Sequence, residues 1–153
     1  MKFIAHRGNW CGKNEEYENL PNYIDVAISH DYDVEIDLWR KDGILFLGHD
    51  SPITPISECY VTSITGNVWI HAKNINVVEW LQKTNTNWFW HQNDDITITS
   101  KNIIWTYPEI LLPNSVINQP SKQSVFWNNQ MWKQNSYIGI CHDDLLFCEQ
   151  RIK

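Results

Sequence analysis

The chain of 153 residues is long enough for one domain with its own hydrophobic core, and we predict a single domain over residues 1–153. A net charge of −6 without any run of Lys or Arg argues against binding to nucleic acid or to an anionic membrane surface. No apolar segment has the length of a membrane span or of a signal peptide. The four cysteines lack disulfide or zinc-site spacing, which favours a cytoplasmic protein with reduced thiols.

Strands and helices alternate in the first half of the sequence. Apolar residues at 34, 36 and 38 alternate with Glu35, Asp37 and Trp39, which is the period of a β-strand. Strands that alternate with helices indicate parallel β-α-β units. We predict strands at 2–7, 33–39, 44–48 and 68–73, helices at about 20–30 and 75–84, and a loop from 49 to about 66.

The second half is poorer in helices, because its connections are short. Only ten residues separate Gln92 from Ile103, and only seven separate Tyr107 from Ser115. A parallel crossover that contains a helix takes about a dozen residues or more, so some strands must be joined by bare connections. We predict strands at 88–92, 103–107, 115–118 and 137–141 and one helix at about 121–133.

Residues 33–50 predict a β-hairpin that gathers acidic and imidazole side chains. Asp42-Gly43 is typical of a two-residue turn, and folding about it pairs 41 with 44, 39 with 46 and 37 with 48. His49 therefore returns beside Asp37, and Glu35 lies on the same face of the strand as Asp37. Carboxylate oxygens suit Mg²⁺ or Ca²⁺, so the pattern indicates a metal site with an acid/base group at its edge.

Four ordered motifs in the first 50 residues resemble those of the glycerophosphodiester phosphodiesterase family, within the superfamily that includes bacterial phosphatidylinositol phospholipase C. The resemblance covers residues 3–50 most strongly and extends to 68–74 and 137–143. The motifs are Ala5-His6-Arg7-Gly8, Tyr17-Glu18-Asn19, Glu35-Ile36-Asp37 and Gly48-His49-Asp50, followed by Ile70-His71-Ala72-Lys73 and Ile138-Gly139-Ile140-Cys141-His142-Asp143.

The resemblance implies a catalytic pair and a metal site. His6 and His49 match the general acid and general base of the family, although the sequence does not decide which is which, and a neutral-range pKa makes imidazole usable in either role. Glu35 and Asp37 match metal ligands, and Glu18 matches a glutamate near the metal. The expected cofactor is a divalent ion: Mg²⁺, Ca²⁺ or Mn²⁺.

Substrate contacts are implied at three further positions. Arg7 offers a planar charged fork for a phosphate, or else forms a structural salt bridge. Lys73 matches the family's substrate-contacting lysine. His91 lies at the end of a predicted strand, where it either lines the pocket or has a structural role.

Two positions leave the chemistry open. The family has a glutamate as third metal ligand where this chain has His71, and imidazole favours softer divalent ions than Ca²⁺. His71 is therefore either a third ligand of altered preference or not a ligand. Asn19 and Asp143 stand at predicted element ends, where capping competes with a place in the site.

The resemblance implies a (β/α)8 barrel, which usually needs about 200 residues or more. We therefore expect an α/β fold, a trimmed (β/α)8 TIM-like barrel with some outer helices missing and the hairpin at 33–50. The expected function is metal-dependent hydrolysis of a soluble, glycerophosphodiester-like phosphodiester to a phosphomonoester and an alcohol. The alternative is a catalytically weak or inactive barrel that binds a phosphorylated ligand or a protein partner.

The missing helices also bear on assembly. Bare strand faces need cover, and the nine tryptophans are far above average usage. A symmetric homodimer would cover two such faces at once. Alternatively, the tryptophans fold over the strands of their own chain and the monomer is self-sufficient.

Overall fold

A computed structural model describes residues 1–152, which form one curled, mixed β-sheet with short helices on its outer face. The strands follow each other along the chain with helices interspersed mainly in the first half and at the end. They are β1 (Lys2–His6), β2 (Asp33–Lys41), β3 (Ile44–Leu47), β4 (Thr54–Ile56), β5 (Val68–Ala72), β6 (Asn87–Phe89), β7 (Ile96–Ile98), β8 (Ile104–Thr106), β9 (Ser115–Asn118) and β10 (Gly139–His142).

The helices are few and short. The longest has nine residues, and none in the described part of the chain has the length and hydrophobicity that crossing a membrane requires. They are α1 (Pro21–Ser29), α2 (Glu58–Ser63), α3 (Ile75–Leu81), α4 (Val125–Asn128), α5 (Met131–Gln134) and α6 (Leu145–Ile152).

Parallel strands form the body of the sheet, in the spatial order β6-β5-β2-β1-β10-β9-β8. Antiparallel strands β3 and β4 extend the carboxyl end of β2, and β7 lies antiparallel to β8. A closed barrel would require β6 and β7 to pair with each other. Within residues 1–152 these two strands do not pair, although Ser100 N donates a hydrogen bond to Trp88 O at 2.7 Å. The sheet is therefore a half-barrel.

The expected trimmed (β/α)8 TIM-like barrel is wrong. Such a barrel needs eight parallel strands that are each followed by a helix, whereas this sheet is mixed and residues 82–124 contain no helix. The physical reason is connection length. The eight residues between β8 and β9 are too few for a helical crossover and form a bare connection, and the fourteen residues between β6 and β8 form the antiparallel strand β7 in place of a helix.

The predicted hairpin is confirmed in its register. Lys41 pairs with Ile44 and Trp39 with Phe46, and the turn residues Asp42 and Gly43 both have positive φ, at 51° and 82°. Positive φ at both central residues is the geometry of the tight turn that matches the twist of the strands, and Asp-Gly favours it.

Two hydrophobic clusters occupy the two faces of the sheet. The larger cluster packs the sheet against the helices, for example Val34 and Ile70 against Ile24 of α1 and Leu81 of α3. The smaller cluster lies on the opposite, concave face because its members alternate along the strands with those of the first. It consists of Ile4, Trp69, Phe89, Trp105, Val116 and Cys141.

Candidate active site

The candidate site lies where the parallel strands end on the concave face. On β1, β5, β6, β8, β9 and β10, a side chain with a polar group follows an apolar member of the smaller cluster by two residues and so points the same way. His71 follows Trp69, and His91 follows Phe89. The polar side chains thus form a layer above a floor of aromatic rings, in which Phe89 and Trp105 stack with centroids 4.6 Å apart.

A pocket of about 400 Å³ opens at this layer. It brings together most of the side chains that the sequence singled out, and the remaining two, Glu18 and Lys73, contact members of the group. The predicted residues that line the pocket are His6, Arg7, Glu35, Asp37, His49, His71 and His91.

Glu35, Asp37 and His71 form a compact group of possible metal ligands, with one donor atom of each within 4.8 Å of the others. Strand pairing produces this group, because β2 and β5 run parallel with Asp37 directly beside His71. His71 Nδ1 lies 3.1 Å from Asp37 Oδ1 and 4.0 Å from Glu35 Oε1. Two donors bound to one ion at about 2.1 Å are separated by roughly 3 Å when they are adjacent. The group therefore needs little adjustment to share an ion.

The ring of His71 is oriented by a backbone contact. Its Nε2 lies 2.8 Å from the carbonyl oxygen of His91, and a carbonyl can only accept, so Nε2–H is the donor. In the neutral ring, Nδ1 then carries a lone pair directed at two carboxylates. A lone pair of Nδ1 facing a carboxylate oxygen is repelled unless a proton or a metal ion lies between the two atoms. A hydrogen bond from the other ring nitrogen, Nε2, to a backbone carbonyl is typical of metal-bound histidine.

Asp37 is the most strongly contacted carboxylate of the site. Asn19 donates to Oδ2 at 3.0 Å and accepts from Asp37 N at 2.9 Å, and Arg7 Nε lies 3.2 Å from Oδ2. Oδ1 is buried and accepts no hydrogen bond of good geometry, although Lys73 Nζ lies 3.3 Å away. Burial works to raise the pKa of Asp37, but contacts with His71, Lys73 and Arg7 outweigh it and hold the pKa below its usual range.

Glu35 lies beside Asp37 without comparable neutralisation. Complete burial, together with the nearby charge of Asp37, raises the pKa of Glu35. Its Oε2 accepts a hydrogen bond from Arg7 N at 3.2 Å, and its Oε1 is directed at His71. A divalent cation would stabilise the ionised form of this carboxyl group, so the donor set fits such an ion.

The total charge of the site also fits a bound cation. Four carboxylates, those of Glu18, Glu35, Asp37 and Asp143, surround two side chains with a permanent positive charge, Arg7 and Lys73. The excess of two negative charges must be met by protonated imidazoles, by a proton on Glu35 or by a cation.

A hydrogen-bonded chain holds His6. His6 Nδ1 lies 2.8 Å from Asp143 Oδ1, so Nδ1–H donates and Nε2 is directed toward the pocket, where Glu35 Oε2 lies 4.0 Å away. Burial works to lower the pKa of His6, but the bond to Asp143 and the charge of Glu35 prevail and raise it. Burial in turn opposes ionisation of Asp143, yet its contacts with His6, Asn9 and Gln119 lower its pKa to about 2.

His49 borders the pocket from the loop that follows the hairpin. Its Nδ1 lies 2.7 Å from Asp50 Oδ1, and its side chain is 42% exposed. Partial burial and the charge of Arg7 lower the pKa of His49. His49 and Arg7 also line an adjoining pocket of about 620 Å³, so the two pockets meet at these two side chains.

Glu18 lies outside the three-residue group. Its Oε2 accepts from Arg7 Nη1 at 2.9 Å and its Oε1 from Asn9 Nδ2 at 2.9 Å. Its neighbour Asn19 does not cap α1, whose N-cap is Leu20 without a side-chain hydrogen bond. Asn19 has φ of 58° and is directed at Asp37 instead.

His91 contributes its backbone more than its ring. The carbonyl of His91 orients His71, while its own Nε2 lies 2.6 Å from Asp94 O and its ring meets Tyr107 edge-on at 5.6 Å. The ring lines the pocket from a fixed orientation.

Sequence reasoning missed three polar residues at the site. Asn9 is fully buried and joins Glu18 to Asp143 by two bonds of 2.9 Å from its Nδ2. Asn118 is the last residue of β9, Gln119 follows it, and both line the pocket. Asn118 follows the buried Val116 by two residues, and that spacing was a usable signal. Asn9 sits in a loop with no such period.

Comparisons of the chain with protein-family models, with curated proteins and with solved structures find no match. The similarity to glycerophosphodiester phosphodiesterases therefore consists of the short motifs alone.

Proposed function

We propose that this protein is a metal-dependent phosphodiesterase that hydrolyses a soluble, glycerophosphodiester-like substrate to a phosphomonoester and an alcohol. The observation that carries the proposal is the convergence, on one pocket, of two buried carboxylates with an oriented imidazole, two further histidines and an arginine. Phosphodiester cleavage needs charge neutralisation at phosphorus, a base for the nucleophile and an acid for the leaving alcohol. The pocket contains side chains for each task.

Phosphate binding falls to Arg7 and Lys73. In the absence of substrate, both of these side chains form ion pairs with Asp37, and Arg7 also pairs with Glu18. A divalent cation held by Glu35, Asp37 and His71 would act as a Lewis acid on a phosphoryl oxygen. Arg7 and Lys73 can then turn their charge toward the remaining phosphate oxygens, Arg7 with a planar fork that suits two of them.

Proton transfer falls to His6 and His49. One imidazole takes the proton of the attacking hydroxyl, and the other gives a proton to the departing alcohol oxygen. Asp143 keeps the His6 ring in one tautomer with Nε2 toward the pocket, and Asp50 makes the corresponding contact with His49 Nδ1. The attacking hydroxyl belongs to water or to the substrate itself. In the second case, a cyclic phosphate forms first.

The adjoining pocket of about 620 Å³ offers room for the alcohol groups of the substrate. Four free thiols, at Cys11, Cys59, Cys141 and Cys148, suit a reducing compartment, and we propose the cytoplasm.

A second function is favoured by one observation. Asp37 already has Asn19, Arg7, His71 and Lys73 around it, so this carboxylate is largely neutralised without a cation. A protein of this kind could bind a phosphorylated ligand or a protein partner and turn it over weakly or not at all.

Release of p-nitrophenol from bis(p-nitrophenyl) phosphate separates the two functions. We expect turnover by the wild-type protein that is abolished by a chelator and restored by a divalent ion. Glu35→Gln should lower the rate at least ~100-fold, the scale of losing a group that acts in the transition state. Glu79→Gln is the matched control, because it removes the same charge at an exposed position of α3.

Metal-independent release, or equal rates for wild type and Glu35→Gln, would contradict the phosphodiesterase. If no turnover occurs, calorimetry with glycerol 3-phosphate tests the second function. Binding by wild type and its loss in Arg7→Gln would support that function.

A further inference from the structure

We propose that His71 makes the cation site selective for a borderline transition ion, such as Co²⁺ or Zn²⁺, over Mg²⁺ and Ca²⁺. This inference rests on the metal site of the proposed function and deepens it. It concerns which ion the site takes, and it can fail while the phosphodiesterase stands.

The donor set is the first argument. The group contributes one imidazole nitrogen and two carboxylates. Mg²⁺ and Ca²⁺ bind oxygen ligands almost exclusively, whereas imidazole suits Zn²⁺ and its first-row neighbours. With identical oxygen ligands, an imidazole in the third position shifts preference toward the transition ions.

The fixed orientation of the His71 ring is the second argument. Its Nε2–H is fixed on the His91 carbonyl at 2.8 Å, and its ring stacks on Phe89 with centroids 5.1 Å apart and planes tilted by 13°. The ring therefore cannot turn Nδ1 away from the carboxylates without losing both contacts. A ligand held by its neighbours binds without a further loss of side-chain freedom, and such outer partners typically change metal affinity 10- to 100-fold.

The scarcity of oxygen donors is the third argument. Ca²⁺ takes about six to eight oxygen ligands. Glu18 would be the natural additional carboxylate, but both of its oxygens are occupied by Arg7 and Asn9. Lys73 Nζ, 3.3 Å from Asp37 Oδ1, further crowds the side on which a large oxygen shell would form. A small shell with one nitrogen is what the surrounding residues permit.

Cobalt provides a direct readout that needs no turnover. Metal-free wild-type protein titrated with Co²⁺ should develop visible d–d absorption bands. Zn²⁺ should abolish these bands, while a hundredfold excess of Mg²⁺ or Ca²⁺ should not. Calorimetric titration of each ion should rank the affinities in the same order.

Variants assign the effect to His71. His71→Glu replaces the nitrogen ligand by a carboxylate and should weaken Co²⁺ binding at least ~10-fold while strengthening Mg²⁺ or Ca²⁺ binding. Asp37→Asn should weaken binding of every ion. His30→Gln, which removes an imidazole on the surface, should change nothing.

The outcomes are distinct. Displacement of Co²⁺ by equimolar Mg²⁺ or Ca²⁺ overturns the selectivity and leaves the phosphodiesterase standing. Cobalt bands that survive in both His71→Glu and Asp37→Asn locate the ion elsewhere and also overturn the inference. Absence of binding by any ion, with His71 as an imidazolium paired to Asp37, overturns the inference and the metal-dependent function together. The wild-type displacement series decides the selectivity even if a variant fails to fold.

Discussion

His6 is contacted by groups on two distant parts of the chain. Asp143, which follows β10, fixes one ring nitrogen at 2.8 Å, and the other faces the pocket beside Glu35. His49 reaches the same pocket from a loop and remains partly exposed. The two rings therefore line one pocket from two different elements, an arrangement consistent with the proposed acid/base pair.

We expect His6→Ala and His49→Ala each to lower turnover of bis(p-nitrophenyl) phosphate at least ~100-fold, because loss of a general acid or base usually costs this much. Circular dichroism should show both variants folded. His30→Ala, which removes an imidazole outside the pocket, serves as the control. Near-wild-type activity of either variant would make that histidine structural.

At the scale of single residues, local spacing predicted part of the site. Glu35 and Asp37 were recognisable because they lie two positions apart, on one face of a strand, and because Asp42-Gly43 fixes the hairpin that returns His49. Asn9 was not recognisable, since its role depends on Glu18 and Asp143, and Asp143 lies 134 positions away in the chain. A contact of that range is set by the pairing of β1 with β10, which no local pattern encodes.

Among the elements, the segment that joins β3 to β4 controls the position of His49. Gly48 has φ of 147°, a conformation that side chains other than glycine rarely adopt. A Cβ atom at this position would lie 2.2 Å from Ser51 O, a backbone atom that cannot move independently. Gly48 also accepts a hydrogen bond from Trp39 Nε1 at 2.6 Å. Gly48 N also donates to Asp37 O at 3.2 Å, so both backbone polar groups of Gly48 are bonded to residues of β2.

Gly48→Ala should lower the free energy of unfolding by about 1–3 kcal/mol, through backbone strain and displacement of the loop. Urea unfolding followed by tryptophan fluorescence measures the change, and turnover should fall because His49 moves with the loop. Gly66→Ala is the matched control, since its Cβ would meet no atom within 4 Å and its φ is not positive. Equal stability of the two variants would show that the turn tolerates a side chain.

Element prediction succeeded where the apolar period was long and failed where tertiary contacts decided. The strands at 33–39 and 115–118 and the helix at 20–30 are confirmed to within two residues at either end. The single helix expected at 121–133 is wrong. It is divided into α4 and α5 by Gln130, whose left-handed φ of 49° interrupts helical hydrogen bonding.

The loop expected from 49 to about 66 is wrong, since it contains β4 and α2; β7 and α6 were also missed, for different reasons. Three residues, Ile96 to Ile98, are too few for a period, and β7 exists because β8 pairs with it. Helix α6 begins at Leu145, two residues after the motif that ends at Asp143, and the sequence that remains after this motif is too short to establish a helical period of its own. Both depend on the surrounding fold more than on local sequence.

At the scale of the whole molecule, helices cover the sheet unevenly. Helices α1, α3, α4 and α6 supply side chains to the larger cluster, and four tryptophans, at positions 69, 80, 105 and 127, are buried within the chain itself. No helix lies in residues 82–124, and the outer side of β7 remains open: Ile96 and Ile98 are 40% and 62% exposed. The tryptophans thus cover part of the sheet, and a bare apolar edge remains.

We expect two copies of the chain to associate through this bare edge, because a two-fold contact would shield Ile96 and Ile98 of both at once and apolar burial contributes about 25 cal/mol per Å². Sedimentation equilibrium at micromolar concentration should give a species of twice the 18.1 kDa chain mass. Ile98→Lys should shift it to the monomer, because a lysine ammonium opposed by its own copy is repelled and desolvated. Ile75→Lys, which adds the same charge at an exposed position of α3, should leave the dimer unchanged. A single wild-type species at the chain mass would show that the tryptophans suffice and that the monomer is complete.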